Sequence, residues 1–275
     1  MAHPTMLVHL KLGQLNTSLL RIVRETAARF DAHVIGIAAS QPFAMMPGDG
    51  YASGNSIESG TEEIADEMRT AEAEFGRAFS TSKNSTEWRS TVLGGPIADV
   101  VAREARSADL IITGTTAREG FDAQRHVNRG DLLMLAGRPL VIVPESSSTP
   151  ILDNILIAWK DTRGAQRAVL DALPLLRRAT CVTIVELTTE SRIAGTRDGL
   201  GDVVRWLKRH DIDAAPMAVT SLGDDSRQIN DIAREQATDT IVAGAYGHSR
   251  LREWILGGVT RELLSPLNCC SFLSH

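Results

Sequence analysis

The chain has 275 residues, 43% of them hydrophobic and 23% charged, with a formal net charge of −5, which suits one large globular domain or two of ordinary size. The acidic balance and the 4% aromatic content exclude the basic, base-stacking surface of a nucleic-acid binder. No run approaches the ~20 apolar residues of a membrane span, and three cysteines, Cys181, Cys269 and Cys270, are too few for a disulfide framework; a cytoplasmic protein without nucleic-acid or membrane partners is expected.

In chain order, an apolar run from Thr5 ends at Lys11 and leads to a helical pattern over Ser18 to Phe30. A second strand is expected at His33 to Ala39. Gln41 to Ser59, rich in Gly, Ser and Met and without periodicity, reads as an inserted surface loop. A long amphipathic helix follows over Thr61 to Phe79, then a strand at Trp88 to Val92. Gly95 leads into a helix over Ile97 to Arg106. Asp109 to Gly114 reads as a fourth strand and Pro139 to Val143 as a fifth.

The pattern then repeats. Asn154 to Lys160 matches the first strand, down to its closing lysine, and a helix is expected over Ala165 to Arg178, interrupted or shortened by Pro174. Cys181 to Glu186, Asp198 to His210, Pro216 to Thr220, Ser226 to Gln236, Asp239 to Gly244 and Cys269 to Leu273 complete the second copy. Strands alternating with helices predict an α/β chain of two repeated domains, each a five-stranded parallel sheet with helices on both faces. The domains are placed at 1–146 and 151–275, with Glu145 to Pro150 as the linker. Ligands of such sheets sit beyond the carboxyl ends of the strands, where Lys11, Lys160, Gly114 and Gly244 fall.

The strongest local signal is Gly244-x2-Gly247-x9-Gly257-Gly258-Val259-Thr260, set between an apolar strand and the helical pattern that starts at Arg261. Glycines there let backbone N–H groups and a helix N-terminus approach a phosphate. The motif resembles the nucleotide motif of the universal stress protein family, G-x2-G-x9-G-[S/T]. The strand and helix order of both halves is similar to that family, as is Gly137-Arg-Pro-Leu-Val-Ile-Val-Pro144.

The resemblance implies a tandem pair of that family's domains, with an adenine nucleotide (ATP or ADP, with Mg2+ as its companion) in the second. Gly244 and Gly247 would approach ribose and phosphates. Gly257, Gly258, Val259 and Thr260 would offer N–H groups and a hydroxyl. Ala158, Trp159 and Lys160 would line the adenine and ribose side, and His248 and Arg250 would cover the phosphates. Gly258 stands where the family has Ser or Thr, and Lys160 where it usually has aspartate. In the first half the second glycine is lost at Ala117. Asp131, following Gly130, satisfies the helix terminus itself and repels phosphate. No ATP is expected there.

Neither a nucleophile elbow nor a P-loop is present, and no residue is placed as a base; any ATP hydrolysis is expected to be slow. Asp224-Asp225 reads as a helix start rather than a magnesium site, Asp211 and Asp213 as turn residues, His9 as a satisfied core histidine, and Cys269-Cys270 as residues of a buried strand. The function expected is a stress-response module acting through ligand-dependent shape or partner binding; the alternative is an interaction protein with a vestigial pocket. The resemblance also implies pairing through the last strands, as an intrachain pseudo-dimer using Leu140 to Val143 against Cys270 to Leu273, or as a homodimer.

Overall fold

The computed structural model describes residues 4–42, 54–115, 125–145, 152–245 and 269–275. The chain divides into two compact units, Met1–Arg138 and Pro139–His275. The division falls before the fifth strand, whereas the sequence placed the boundary in the linker after it.

The first unit holds β1 (Thr5–His9), α1 (Thr17–Phe30), β2 (His33–Ser40), α2 (Gly54–Phe79), β3 (Thr86–Val92), α3 (Ile97–Glu104), a 3-10 turn, β4 (Leu110–Gly114) and α4 (Arg129–Ala136). Its described strands are all parallel, in the order β3-β2-β1-β4. The central strands are apolar throughout: Leu7, Val8, Ile37, Ile111 and Ile112 are fully buried. The edge strand β3 has no buried residue; its residues are exposed or half-buried. Gly36 on β2 is glycine because a Cβ would meet the rings of Phe75 and Trp88 at 2.8 Å. The helix α2 starts at Gly54, so the last residues of the expected 41–59 loop are helical; residues 43–53, with Met45 and Met46, lie outside the described residues.

The second unit holds β5 (Leu140–Val143), β6 (Asn154–Ala158), α5 (Arg163–Leu176), β7 (Cys181–Thr188), α6 (Ile193–Lys208), β8 (Ala214–Thr220), α7 (Asp225–Glu235), β9 (Thr240–Gly244) and β10 (Cys270–Ser274). Five strands are parallel in the order β10-β9-β6-β7-β8, and β5 runs antiparallel on the other side of β10, with Phe272 opposite Val141. With β9 on one side and β5 on the other, β10 has no free edge to offer a second chain. Pro216 lies on the edge strand β8, where a missing N–H is tolerated. Pro174 does not end α5 early. It and Leu170, four residues before it, are both exposed, so the carbonyl it frees lies on the solvent side. The helix α6 begins five residues before its expected start, at Ile193. Cys270 is buried and burial pushes the Cys269 thiol up to about 11, which suits strand residues rather than a redox pair.

The start of β6 is tied to the start of β9 by one carboxylate. Asp239 accepts from the backbone N–H groups of Leu152 (2.8 Å), Asp153 (3.0 Å) and Asn154 (2.6 Å), and from the Thr240 hydroxyl (2.7 Å). Leu152 sits at φ 68, a left-handed conformation that bonding at both ends holds in place. The first copy repeats the device more weakly: Asp109 accepts from Thr5 N–H at 2.9 Å. Asp239→Ala leaves these donors without their acceptor and is expected to cost the second unit about 3 kcal/mol. Urea unfolding of the full chain measures it, and Asp239→Asn, which keeps one carbonyl oxygen, should lose less.

Candidate functional site

The carboxyl ends of the strands bear different surroundings in the two units. In the second, β6 ends at Ala158 and the helix α5 begins within a turn, capped by Thr162, whose hydroxyl accepts from Ala165 N–H at 3.3 Å. Trp159 N–H donates to the Val185 carbonyl at 2.8 Å, which holds the chain against β7 as it leaves the sheet. Trp159 is half-buried and Lys160 exposed.

This short link draws the first turn of α5 against the end of β9. A Cβ on Gly244 would lie 2.3 Å from the Gly164 carbonyl carbon and 2.4 Å from Ala165 N, and one on Gly164 would lie 3.0 Å from the Ala245 carbonyl oxygen. Two backbones therefore touch where neither residue has a side chain. Gly244 was expected to be glycine so that a phosphate could approach; the closeness of α5 accounts for it without a ligand. The counterpart, Gly164, escaped the sequence reading, although a glycine in a first helical turn facing a strand-end glycine was a signal for such a contact.

On the β7 side of β6 a cleft of about 900 Å³ opens between α5 and α6. Its mouth, at the strands' carboxyl ends, is formed by Trp159, Asp161, Gln166, Glu186, Ser191 and Arg192. Glu186 has its carboxyl raised above the usual range by burial and by the nearby Asp161 charge, with Lys160 opposing. Of the residues expected at the site, Trp159 lines this cleft. Ala158 sits between Val185 and Ala243 in the sheet, and Lys160 lies beside the mouth, close enough to act on Glu186. Gly247, His248, Arg250, Gly257, Gly258, Val259 and Thr260 lie outside the described residues.

The first unit is built differently at the same place. The link between β1 and α1 is longer and is tied to α2: Asn16 accepts from Lys11 N–H at 2.9 Å and donates to Glu74 at 3.0 Å. Lys11 is buried, its Nζ donates to the Thr115 carbonyl at 2.8 Å, and its chain covers Gly114, where a Cβ would be 3.4 Å from Lys11 Cε. The neighbouring cleft, about 580 Å³, is lined by Glu62, Glu63, Asp66, Glu67 and Glu74. Arg125 pairs with Glu67 at 2.8 Å and Glu63 at 3.2 Å. Carboxylates in this number repel a polyphosphate. At α4 the expected role of Asp131 belongs to Asn128, whose side chain accepts from Asp131 N–H at 3.2 Å, while Asp131 lies in the first turn.

His9, expected to be satisfied, is only half so. It is buried and its Nδ1 is 3.2 Å from the Thr113 hydroxyl, but Nε2 finds no partner among the described residues. Burial, with His126 and Lys11 nearby, lowers its pKa to about 4. Asp224 caps α7, accepting from Arg227 N–H at 3.1 Å, and Asp211 occupies a turn at φ 62. Among the described residues no cluster of His, Cys, Asp and Glu is suited to a metal, and no helix is long and apolar enough to cross a membrane.

Two measurements test these arrangements. Gly244→Ala should cost about 3 kcal/mol by forcing α5 off β9, seen as a lower urea midpoint with or without added nucleotide. His9 is neutral in the folded chain and protonates near its ordinary value of 6.5 when unfolded. Stability is then complete above pH 6.5 and falls as pH drops from 6.5 to 4, by about 3 kcal/mol. Unfolding across that range should show the slope, and His9→Gln should flatten it.

The family model of the universal stress protein family matches residues 152–270. The whole chain superposes on a universal stress protein from Archaeoglobus fulgidus with a TM-score of 0.77 at 12% identity, covering 100% of this chain and 99% of that one. A functionally unknown protein from Pseudomonas aeruginosa superposes with a TM-score of 0.62 at 13% identity, covering 99% of this chain and 92% of the other. No curated protein matches the chain in sequence. Residues 152–270 thus match the universal stress protein family, and the whole chain shares its fold with a solved universal stress protein.

Proposed function

We propose that the second unit binds an adenine nucleotide, ATP or ADP, in the cleft at the carboxyl ends of β6 and β7, and that occupancy alters the chain's shape or its binding to a partner. The observation that carries this reading is the cleft itself. At about 900 Å³ it is within the roughly 300–1,000 Å³ of small-molecule sites. It also lies where parallel sheets take ligands, with an indole in its wall. Trp159 offers a face to adenine. Glu186 and Asp161 offer acceptors to the amino group of the base or to ribose hydroxyls.

In this reading the phosphates lie on the β9 side of β6, toward Gly247, His248, Arg250 and the Gly257 to Thr260 segment, with Lys160 at the rim and Mg2+ accompanying them. In this reading the ligand is held rather than turned over, and any hydrolysis is slow. The first unit, closed by Lys11 and ringed by carboxylates, takes no nucleotide.

A specific observation favours the other reading, an interaction protein with a vestigial pocket: α5 alone explains Gly244, and the mouth carries two carboxylates against Arg192. Calorimetric titration of the full chain with ATP and ADP separates the two. The nucleotide reading expects one site per chain and a loss of about tenfold or more in Trp159→Ala, in line with base stacking worth ~1–3 kcal/mol. No heat and no thermal shift at millimolar nucleotide would leave the interaction reading. Two sites per chain would contradict the closed first unit.

A further inference from the structure

The cleft does not stop at its mouth. It continues between α5 and α6 along Val169 and Leu170 on one side and the α6 wall from Gly195 to Trp206 on the other, where Gly199 and Val203 alternate with the polar Thr196 and Asp202. From Gly195 to Trp206 the wall of α6 runs for about 16 Å, at 1.5 Å per residue. This extension is largely apolar, and Leu170 is 52% exposed within it. In the first unit the corresponding helices α1 and α2 pack on each other; among the described residues no comparable packing joins α5 to α6.

Two glycines make the gap wider than the helices require. A Cβ added to Gly195 or Gly199 would meet nothing within 4 Å, so no contact within the described residues demands glycine at either position. Each costs a helix interior about 1 kcal/mol relative to alanine. Both line the cleft. Glycine there keeps the wall of α6 low beside a lining that water solvates poorly.

The strand order says which end of a ligand would face this groove. The end of β9 lies on one side of β6 and the groove on the other, over β7. A nucleotide with phosphates toward β9 and its base on Trp159 presents the base edge, not the phosphates, to Gly195 and Gly199. We infer that the second unit selects an adenine nucleotide bearing an apolar substituent on the edge of its base, which lies in the α5–α6 groove. The inference rests on the nucleotide reading above and can fail without it.

The probes are ATP and N6-benzyl-ATP, titrated calorimetrically into the full chain and its Gly199→Leu variant. Leucine has a better helix propensity than glycine and its Cβ meets open space, so the variant is expected to fold; circular dichroism and the urea midpoint check this. If the fold is disturbed, Gly195→Leu makes the same test one turn away. N6-benzyl-ATP should bind the native chain at least tenfold tighter than ATP. Gly199→Leu should erase that gain while changing the affinity for ATP by less than twofold. ATP binding with no gain for N6-benzyl-ATP overturns this inference and leaves the nucleotide reading standing. So does a gain that survives Gly199→Leu. Binding of neither compound overturns both.

Discussion

The backbone contact between the first turn of α5 and the end of β9 is the constraint on which the second unit's site depends. Gly164 and Gly244 approach so closely that a single methyl group on Gly244 would overlap the helix backbone. That contact fixes the angle at which α5 leaves the sheet. The link after β6 must then be short, and Trp159, tied by its N–H to Val185, is presented to the cleft rather than to open solvent. The other side of the cleft is set by α6, which packs on β7 and β8.

The first unit lacks that constraint, and its strand ends are filled from within. Its longer link is held by Asn16 and Glu74 instead of by a glycine pair, and the space over Gly114 is occupied by the chain's own lysine. The buried ammonium of Lys11 is satisfied by a backbone carbonyl, and the acids of α2 ring the remaining hollow. One fold, written twice, thus carries a cleft walled by an indole in one copy, and in the other a lysine-covered strand end beside a smaller, carboxylate-lined cleft. The difference is one of loop length and of charge, since strand order is the same in the two copies from β3 to β4 and from β8 to β9.

Much of the fold was legible because burial imposes period. Strands such as Leu110–Gly114 and Thr240–Gly244, buried along nearly their whole length, read as unbroken apolar runs. Helices with one buried stripe, such as α1 with Leu19, Leu20, Val23 and Ala27, read by their 3.6 spacing. The ends were less legible. The starts of α2 at Gly54 and α6 at Ile193 carry glycine and polar residues whose helicity comes from continuity with the turns beyond them, so composition alone placed both too late. Pro174 read as a kink or an early end of the helix, yet on the solvent side of α5 the freed carbonyl costs little.

The order of residues alone specifies the two copies, their alternation of strand and helix, the family motif at Gly244 and the loss of that motif in the first half. Each of these is carried by local pattern, where the identity of a residue and its neighbours suffices. What the glycines and charges do was settled by packing. Gly244 is demanded by Gly164, eighty residues away in the chain; Lys11 turns inward to Thr115; Gly195 and Gly199 face an open groove; β5 pairs with β10. A glycine in sequence says only that a side chain is absent. Whether a helix, a ligand or empty space fills the place depends on which distant backbone the packing of the sheet brings there.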